Sequence, residues 1–157
     1  MQTKQKVKMH KEITLFLKQN RNEIINLAID NLSRNKFDHY GRSEQVQTGN
    51  KFNNLMDTII ISVQNNDVNP MIRYMDKIAR ERYQDSYMLF EVQAAINAVE
   101  ENIWTILKKK SFAYRLDAFR LISRITGIAK LTLSTHFDEF SHDESLLADP
   151  NSIMLNN

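Results

Sequence analysis

Apolar residues recur along this chain at steps of three and four, and five stretches hold the pattern long enough to predict helices. The first covers about Val7 to Asn35 and places Ile13, Phe16, Leu17, Ile24, Leu27, Ala28 and Leu32 on one side. The polar run Gln19-Asn20-Arg21-Asn22 interrupts it, which predicts a kink or a split into two shorter helices. From Phe37 to Asn50 the stripe fails, and His39-Tyr40-Gly41 and Thr48-Gly49-Asn50 read as loop. A second helix is expected over Lys51 to Gln64, with Phe52, Leu55, Met56, Ile59, Ile60 and Val63 inward. Its β-branched run Ile59-Ile60-Ile61-Ser62-Val63 would also suit a strand. The flanks keep a helical period and no partner strand is visible, so the helix is the better reading.

Asn65-Asn66-Asp67-Val68-Asn69-Pro70 is the strongest punctuation in the chain. Asn69 is the expected cap of a third helix and Pro70 its first residue. That helix carries Met71, Tyr74, Met75, Ile78 and Arg82 on one face and ends near Gln84-Asp85-Ser86. Asp85 or Ser86 would cap a fourth, where Leu89, Val92, Ile96, Val99, Ile103 and Ile106 follow alternating steps of three and four. Lys108-Lys109-Lys110 closes it with cations, which the helix dipole favours. A fifth helix, capped by Ser111, should reach about Glu139 with Phe112, Leu116, Phe119, Ile122, Ala129, Leu133, Phe137 and Phe140 inward. Gly127 within it predicts a bend or a close helix crossing. Little periodicity remains from His142 onward. The expectation is an all-α bundle of about five helices, with short antiparallel connections between the second, third, fourth and fifth. Residues 1–141 would form one domain and 142–157 a flexible C-terminal tail.

Composition narrows the function more than the fold. The 157 residues suit one domain, with 42% hydrophobic and 25% charged residues. Cysteine is absent, which removes disulfides, thiolate metal sites and thiol catalysis. A net charge of +2 gives no case for nucleic acid, and no helix-turn-helix spacing appears. Lys4, Lys6, Lys8 and Lys11 open the chain, while Asp138, Glu139, Asp143, Glu144 and Asp149 crowd its end. They read as solvated termini or as an electrostatic head-to-tail contact. The apolar run Ile13-Thr14-Leu15-Phe16-Leu17 is too short for a signal-peptide core or a membrane span, so a cytoplasmic protein is expected.

No spacing forces catalytic groups together. Gly-rich phosphate loops, HExxH, GxSxG and EF-hand patterns are missing, and no ExxH supplies di-iron ligands. The expectation is therefore no enzyme, no metal and no resident cofactor. His136 on the fifth helix is the one candidate haem ligand, against the plainer reading of a helix-edge histidine with a local hydrogen bond. The densest chemistry falls at the junction of the third and fourth helices. There Arg82, Tyr83, Tyr87 and Glu91, with Trp104 further along, form a candidate ligand site for an anion. The alternative is an Arg82–Glu91 ion pair bracing two helices.

Three segments of this junction carry a likeness to a known family: Ile72-Arg73-Tyr74-Met75-Asp76-Lys77-Ile78-Ala79-Arg80-Glu81-Arg82, then Tyr87-Met88-Leu89-Phe90-Glu91-Val92-Gln93, then Ile103-Trp104. Together they resemble the N-terminal sensor domain of stressosome co-antagonist proteins of the RsbR/RsbRD type. The resemblance spans about residues 20–140 and implies a globin-like helical domain without haem, usually dimeric, that senses a signal and passes it to attached regulatory modules. No such module follows Phe140 in this sequence, which predicts signalling by non-covalent association. Three functions compete: a sensory or regulatory domain, homodimeric through the fifth helix by Leu121, Ile125 and Ile128, an adaptor bundle recognising a protein partner without a small ligand, or a haem-binding globin-like protein through His136. The sensor predicts an apolar pocket with a few polar groups; the adaptor predicts a packed interior.

Overall fold

The computed structural model describes residues 2–34 and 45–148, all helix and short turns. Five helices follow in order: α1 (Gln2–Arg34), α2 (Gln45–Asn65), α3 (Asn69–Gln84), α4 (Leu89–Lys109) and α5 (Arg115–Ala148). The all-α bundle of about five helices expected from the periodicity is what forms, with no strand among the described residues. The loop expected at His39-Tyr40-Gly41 and the chain from residue 149 on lie outside the described residues.

Several boundaries move. α1 runs through Gln19-Asn20-Arg21-Asn22 unbroken, because neighbouring helices give that polar run partners. Asn20 Nδ2 donates to the Phe16 carbonyl at 2.8 Å and its Oδ1 accepts from Lys110. Arg21 reaches Asp57 and, at 3.1 Å, both the carbonyl and the side-chain oxygen of Asn53 on α2. Thr48-Gly49-Asn50 lies inside α2 rather than in a loop. α5 starts at Arg115, after a turn through Ser111-Phe112-Ala113-Tyr114, and its helix covers 142–148, the first part of the expected tail.

The caps differ from expectation for local reasons. Val68, not Asn69, is the N-cap of α3, and Asp67 just before it accepts the Asn69 backbone N–H at 3.0 Å, so the helix begins one residue ahead of Pro70. At α4 the N-cap is Met88, whose N–H donates to Glu91 Oε2 at 2.8 Å, the carboxylate half of a capping box.

The helices close into a ring in which α1 packs on α2 and α4, α4 on α5, α5 on α3, and α3 on α2. α1 and α2 are antiparallel, as His10 Nδ1 to the Val63 carbonyl (3.1 Å) and Arg21 to Asp57 require. α4 and α5 are also antiparallel, with Trp104 against Phe119 and Asn97 bonded to Lys130. α3 instead runs parallel to α5, because Asp76 meets His136 and Tyr83 meets Phe137 and Phe140. The expected α3–α4 hairpin does not form: joined by only four residues, the two helices diverge, and α3 lies on α5 and α2.

The predicted inward faces of α2 and α4 are buried throughout, apart from the half-buried Leu89. Of the residues expected inward on the fifth helix, Ile122, Ala129, Leu133 and Phe137 are buried and Phe112, Phe119 and Phe140 pack on the core, so Leu116 is the one departure among those named. Ile125 is fully buried, Leu121 packs on the core, and Leu116 stands 61% exposed. Gly127 sits on the outer face, where an added Cβ would meet nothing within 4 Å, so no close crossing requires it. Glu100 is buried beside Lys130 Nζ at 3.9 Å, and burial pushes its carboxyl above the ordinary range. Its folded form holds a proton that the unfolded form has released, so stability should fall as pH rises through and above the ordinary carboxylate value. In urea unfolding across pH 4–8, Glu100→Gln should flatten that slope.

Candidate functional site

α3 ends in a turn that builds the site. Ser86 takes a left-handed conformation (φ 64°), Ser86 N–H donates to the Tyr83 carbonyl at 3.1 Å, and Tyr87 N–H reaches back to the Arg82 carbonyl at 2.9 Å. This is a Schellman ending, and it brings the residue three places inside the helix against the residue two places beyond its cap. Those residues are Arg82 and Tyr87. The Arg82 guanidinium carbon lies 5.3 Å from the Tyr87 ring centroid, a stacked cation–π contact. The last turn of α3 also favours a cation there through its dipole. Serine is a poor residue for the left-handed position, so Ser86→Gly should raise stability by about 0.5–1 kcal/mol, read as a small rise in Tm.

Arg82 is only 7% exposed. It lines a half-open cleft between the start of α2, the end of α3 and the start of α4, walled by Phe52, Leu55, Met75, Ile78, Val92, Ala95 and Ile96. The space a water can occupy there is about 30 Å³, room for one or two waters. Two further polar groups reach it. Lys51 Nζ donates to the Tyr87 hydroxyl at 2.7 Å. Tyr74 also lines the cleft, its hydroxyl pushed up to about 12 by burial, with the nearby Arg82 charge opposing the rise.

The Arg82 guanidinium makes no hydrogen bond among the described residues. The one carboxylate in ion-pair range is Glu81, at 4.0 Å. The expected Arg82–Glu91 pair does not form within 4.0 Å. Glu91, itself buried, gives a carboxylate oxygen to the Met88 N–H.

Of the five residues the sequence singled out, only Arg82 lines the cleft; Tyr87 stacks on its guanidinium, and Glu91 lies in the first turn of α4. Tyr83, one position on from Arg82, turns to α5. It packs edge-on against Phe137 (5.6 Å) and tilted against Phe140 (5.2 Å), while Glu144 accepts its hydroxyl and raises its pKa. Trp104 lies about 20 Å further along α4 than Glu91, at 1.5 Å per residue, where it contacts Phe119 on α5 and its buried indole N–H has no partner. Lys51 and Tyr74 were missed as site residues. Lys51 reads only as the expected start of α2, and its meeting with Tyr87 is a tertiary event without a local sequence mark.

His136 is a helix-edge histidine. Nε2 faces Asp76 at 2.5 Å and Nδ1 faces Glu139 at 3.2 Å, so neither nitrogen is directed to a haem iron, and the residues present do not fit that group. No group of three or more His, Asp or Glu that could hold a metal ion occurs among the described residues. No described helix is long and apolar enough to cross a membrane. Lys4, Lys6, Lys8 and Lys11 are exposed, as are Asp138, Glu139, Asp143 and Glu144, and no ion pair joins the two sets among the described residues, which do not include Asp149.

No protein-family model, no characterised protein and no solved structure matches this chain.

Proposed function

We propose that this chain is a non-catalytic regulatory domain that receives an anionic group at the Arg82–Tyr87 cleft and works as a homodimer. One observation carries the reading: a guanidinium 7% exposed, set in an apolar cleft, with no acceptor bonded to it. A buried charge whose one carboxylate neighbour, Glu81, stands off at 4.0 Å without a hydrogen bond is costly, and a bundle needing only stability is better served by methionine or leucine at that position. Such a cation is what an arriving anion would complete. The resemblance to stressosome sensor domains agrees in kind, since those domains act by binding and by association.

The dimer surface we propose is the outer face of α5, not the Leu121–Ile125–Ile128 face suggested by periodicity. Leu116, Arg120, Gly127, Leu131 and Asp138 are exposed along it, with arginines toward the start and acids toward the end. Two copies placed antiparallel set each Arg120 opposite the other's Asp138. Each Leu131 then fits over the space at the other's Gly127. The surface is self-complementary, as a two-fold dimer requires. Arg120→Asp and Asp138→Arg should each weaken dimerisation about tenfold in analytical ultracentrifugation, and the double variant should restore it. An unrestored double variant argues against this face.

The adaptor reading is favoured by the small volume of the cleft; under it the anion would be a carboxylate side chain of a protein partner. Native mass spectrometry of the purified chain, beside Arg82→Met, tests the whole. A dimer retaining a small anion that Arg82→Met lacks supports the sensor. A bare monomer identical to the variant sinks it.

A further inference from the structure

We infer that the Arg82 cleft is a receptor for a short-chain monocarboxylate of about two to four carbons. The inference rests on the anion-binding reading above and adds the chemical class of the ligand. The charge at the site comes first. A single guanidinium presents a planar fork of donors that matches one carboxylate in two parallel hydrogen bonds, and Arg82 already has one face stacked on Tyr87, which leaves its edges for such a partner. A phosphate or sulfate, larger and with more oxygens to satisfy, would leave some of them against the apolar walls.

The walls come second. Phe52, Leu55, Met75, Ile78 and Ile96 offer carbon surface, which gains from an alkyl group and gives nothing to a hydroxylated or zwitterionic ligand. Among the described residues, the polar side chains lining it are donors. The Tyr74 hydroxyl keeps its proton at any physiological pH, and Lys51 adds positive charge while its ammonium holds the Tyr87 hydroxyl. Glu91 is turned to the Met88 N–H rather than toward Arg82. An ammonium ligand would meet cations, and a neutral one would leave Arg82 as it is.

Size comes last. Space for one or two waters, about 30 Å³, takes a carboxylate with its first carbon, and each further carbon up to the third requires the walls to give way. A long acyl chain would have to part α2 from α3. Carboxylate on Arg82, alkyl group toward Ala95 and Ile96, is the placement these three constraints share.

Isothermal titration calorimetry and thermal unfolding of the full chain, at constant ionic strength in sodium chloride, test it with acetate, propionate, butyrate, octanoate, 1-propanol, propylammonium and sulfate. Propionate or butyrate should bind with a Kd on the order of 1 mM and raise Tm saturably. Octanoate, the alcohol, the amine and sulfate should not. Arg82→Met should lose binding at least tenfold, and Arg82→Lys should recover little of it, because lysine lacks the fork. Ala95→Val, which narrows the cleft without touching charge, should remove butyrate binding while leaving acetate within about threefold. Uniform loss or no change across the series overturns the alkyl placement. Sulfate binding that Arg82→Met abolishes, with no preference for carboxylates, overturns the ligand class and leaves the anion reading standing. Propionate binding that survives in Arg82→Met overturns the site. If no anion binds the wild-type protein, both this inference and the anion reading fall.

Discussion

Replacing Ile103 by alanine should lower the unfolding free energy by about 3 kcal/mol, the larger of the two strongest effects expected in this protein. Ile103 is fully buried on α4, the helix flanked by both long helices, α1 and α5. Truncation removes three carbons of buried surface and leaves a cavity among elements that are braced from several sides. α4 cannot simply slide to close it. Lys110 ties its end to Asn20 and Glu23 on α1, and Asn97 ties its middle to Lys130 on α5. A fall in Tm of about 6–12 °C follows for a chain of this size. Urea titration followed by far-ultraviolet circular dichroism gives the number directly. A loss under 1 kcal/mol would mean that α4 is far less tightly held than its burial indicates.

Arg82→Met should act in the opposite direction and make the protein more stable by about 1–2 kcal/mol. Three losses oppose the gain, the smallest being the long contact with the partly exposed Glu81 at 4.0 Å. The Tyr87 stack is worth about 0.5–1 kcal/mol or somewhat more when desolvated, and the dipole at the end of α3 adds about 0.3–1 kcal/mol. Against them stands the desolvation of a charge 7% exposed with no bonded acceptor, several kcal/mol even after relaxation. Methionine matches the length of the arginine stem and fills irregular space well. The same substitution should abolish anion binding, so stability and binding separate at one residue. Thermal unfolding without added carboxylate measures the first effect. A clearly destabilised Arg82→Met would show that the guanidinium is satisfied as it stands, which removes the reason for a ligand.

The fold was legible wherever one helix face alone decides the outcome. The stripes on α2 and α4 name their buried residues because burial there follows 3.6-residue spacing and nothing else. α1 was harder to read, since Gln19-Asn20-Arg21-Asn22 looks like a break until Lys110 and Asp57 are placed beside it. α5 misled at one position, Leu116, for a similar reason. Its apolar residues surround more than half the helix, so periodicity could not choose between Leu116 and Ile125, and only packing on α3 and α4 did. At the site, Arg82 and Tyr87 are five residues apart and come together through a local turn. Even so, serine at the left-handed position hid the motif that glycine would have announced. Lys51 and Tyr74 join them through the contact of α2 with α3, and Trp104 leaves them because α4 is straight. Residues clustered in sequence at a helix junction share a site only if the helices there stay together, and α3 and α4 diverge.

That divergence has a consequence for how the molecule breathes. α3 is the shortest helix, held on its far side by α5 and on its near side by α2, and its connection to α4 adds little. We expect its amides to exchange with solvent as a unit, before the α1–α4–α5 framework opens. Because α3 carries Arg82, Met75 and Ile78, each such opening also dismantles one wall of the cleft. Anything held between that wall and α4 would slow the exchange of α3 selectively, so occupancy of the receptor would be written in the protection of a single helix.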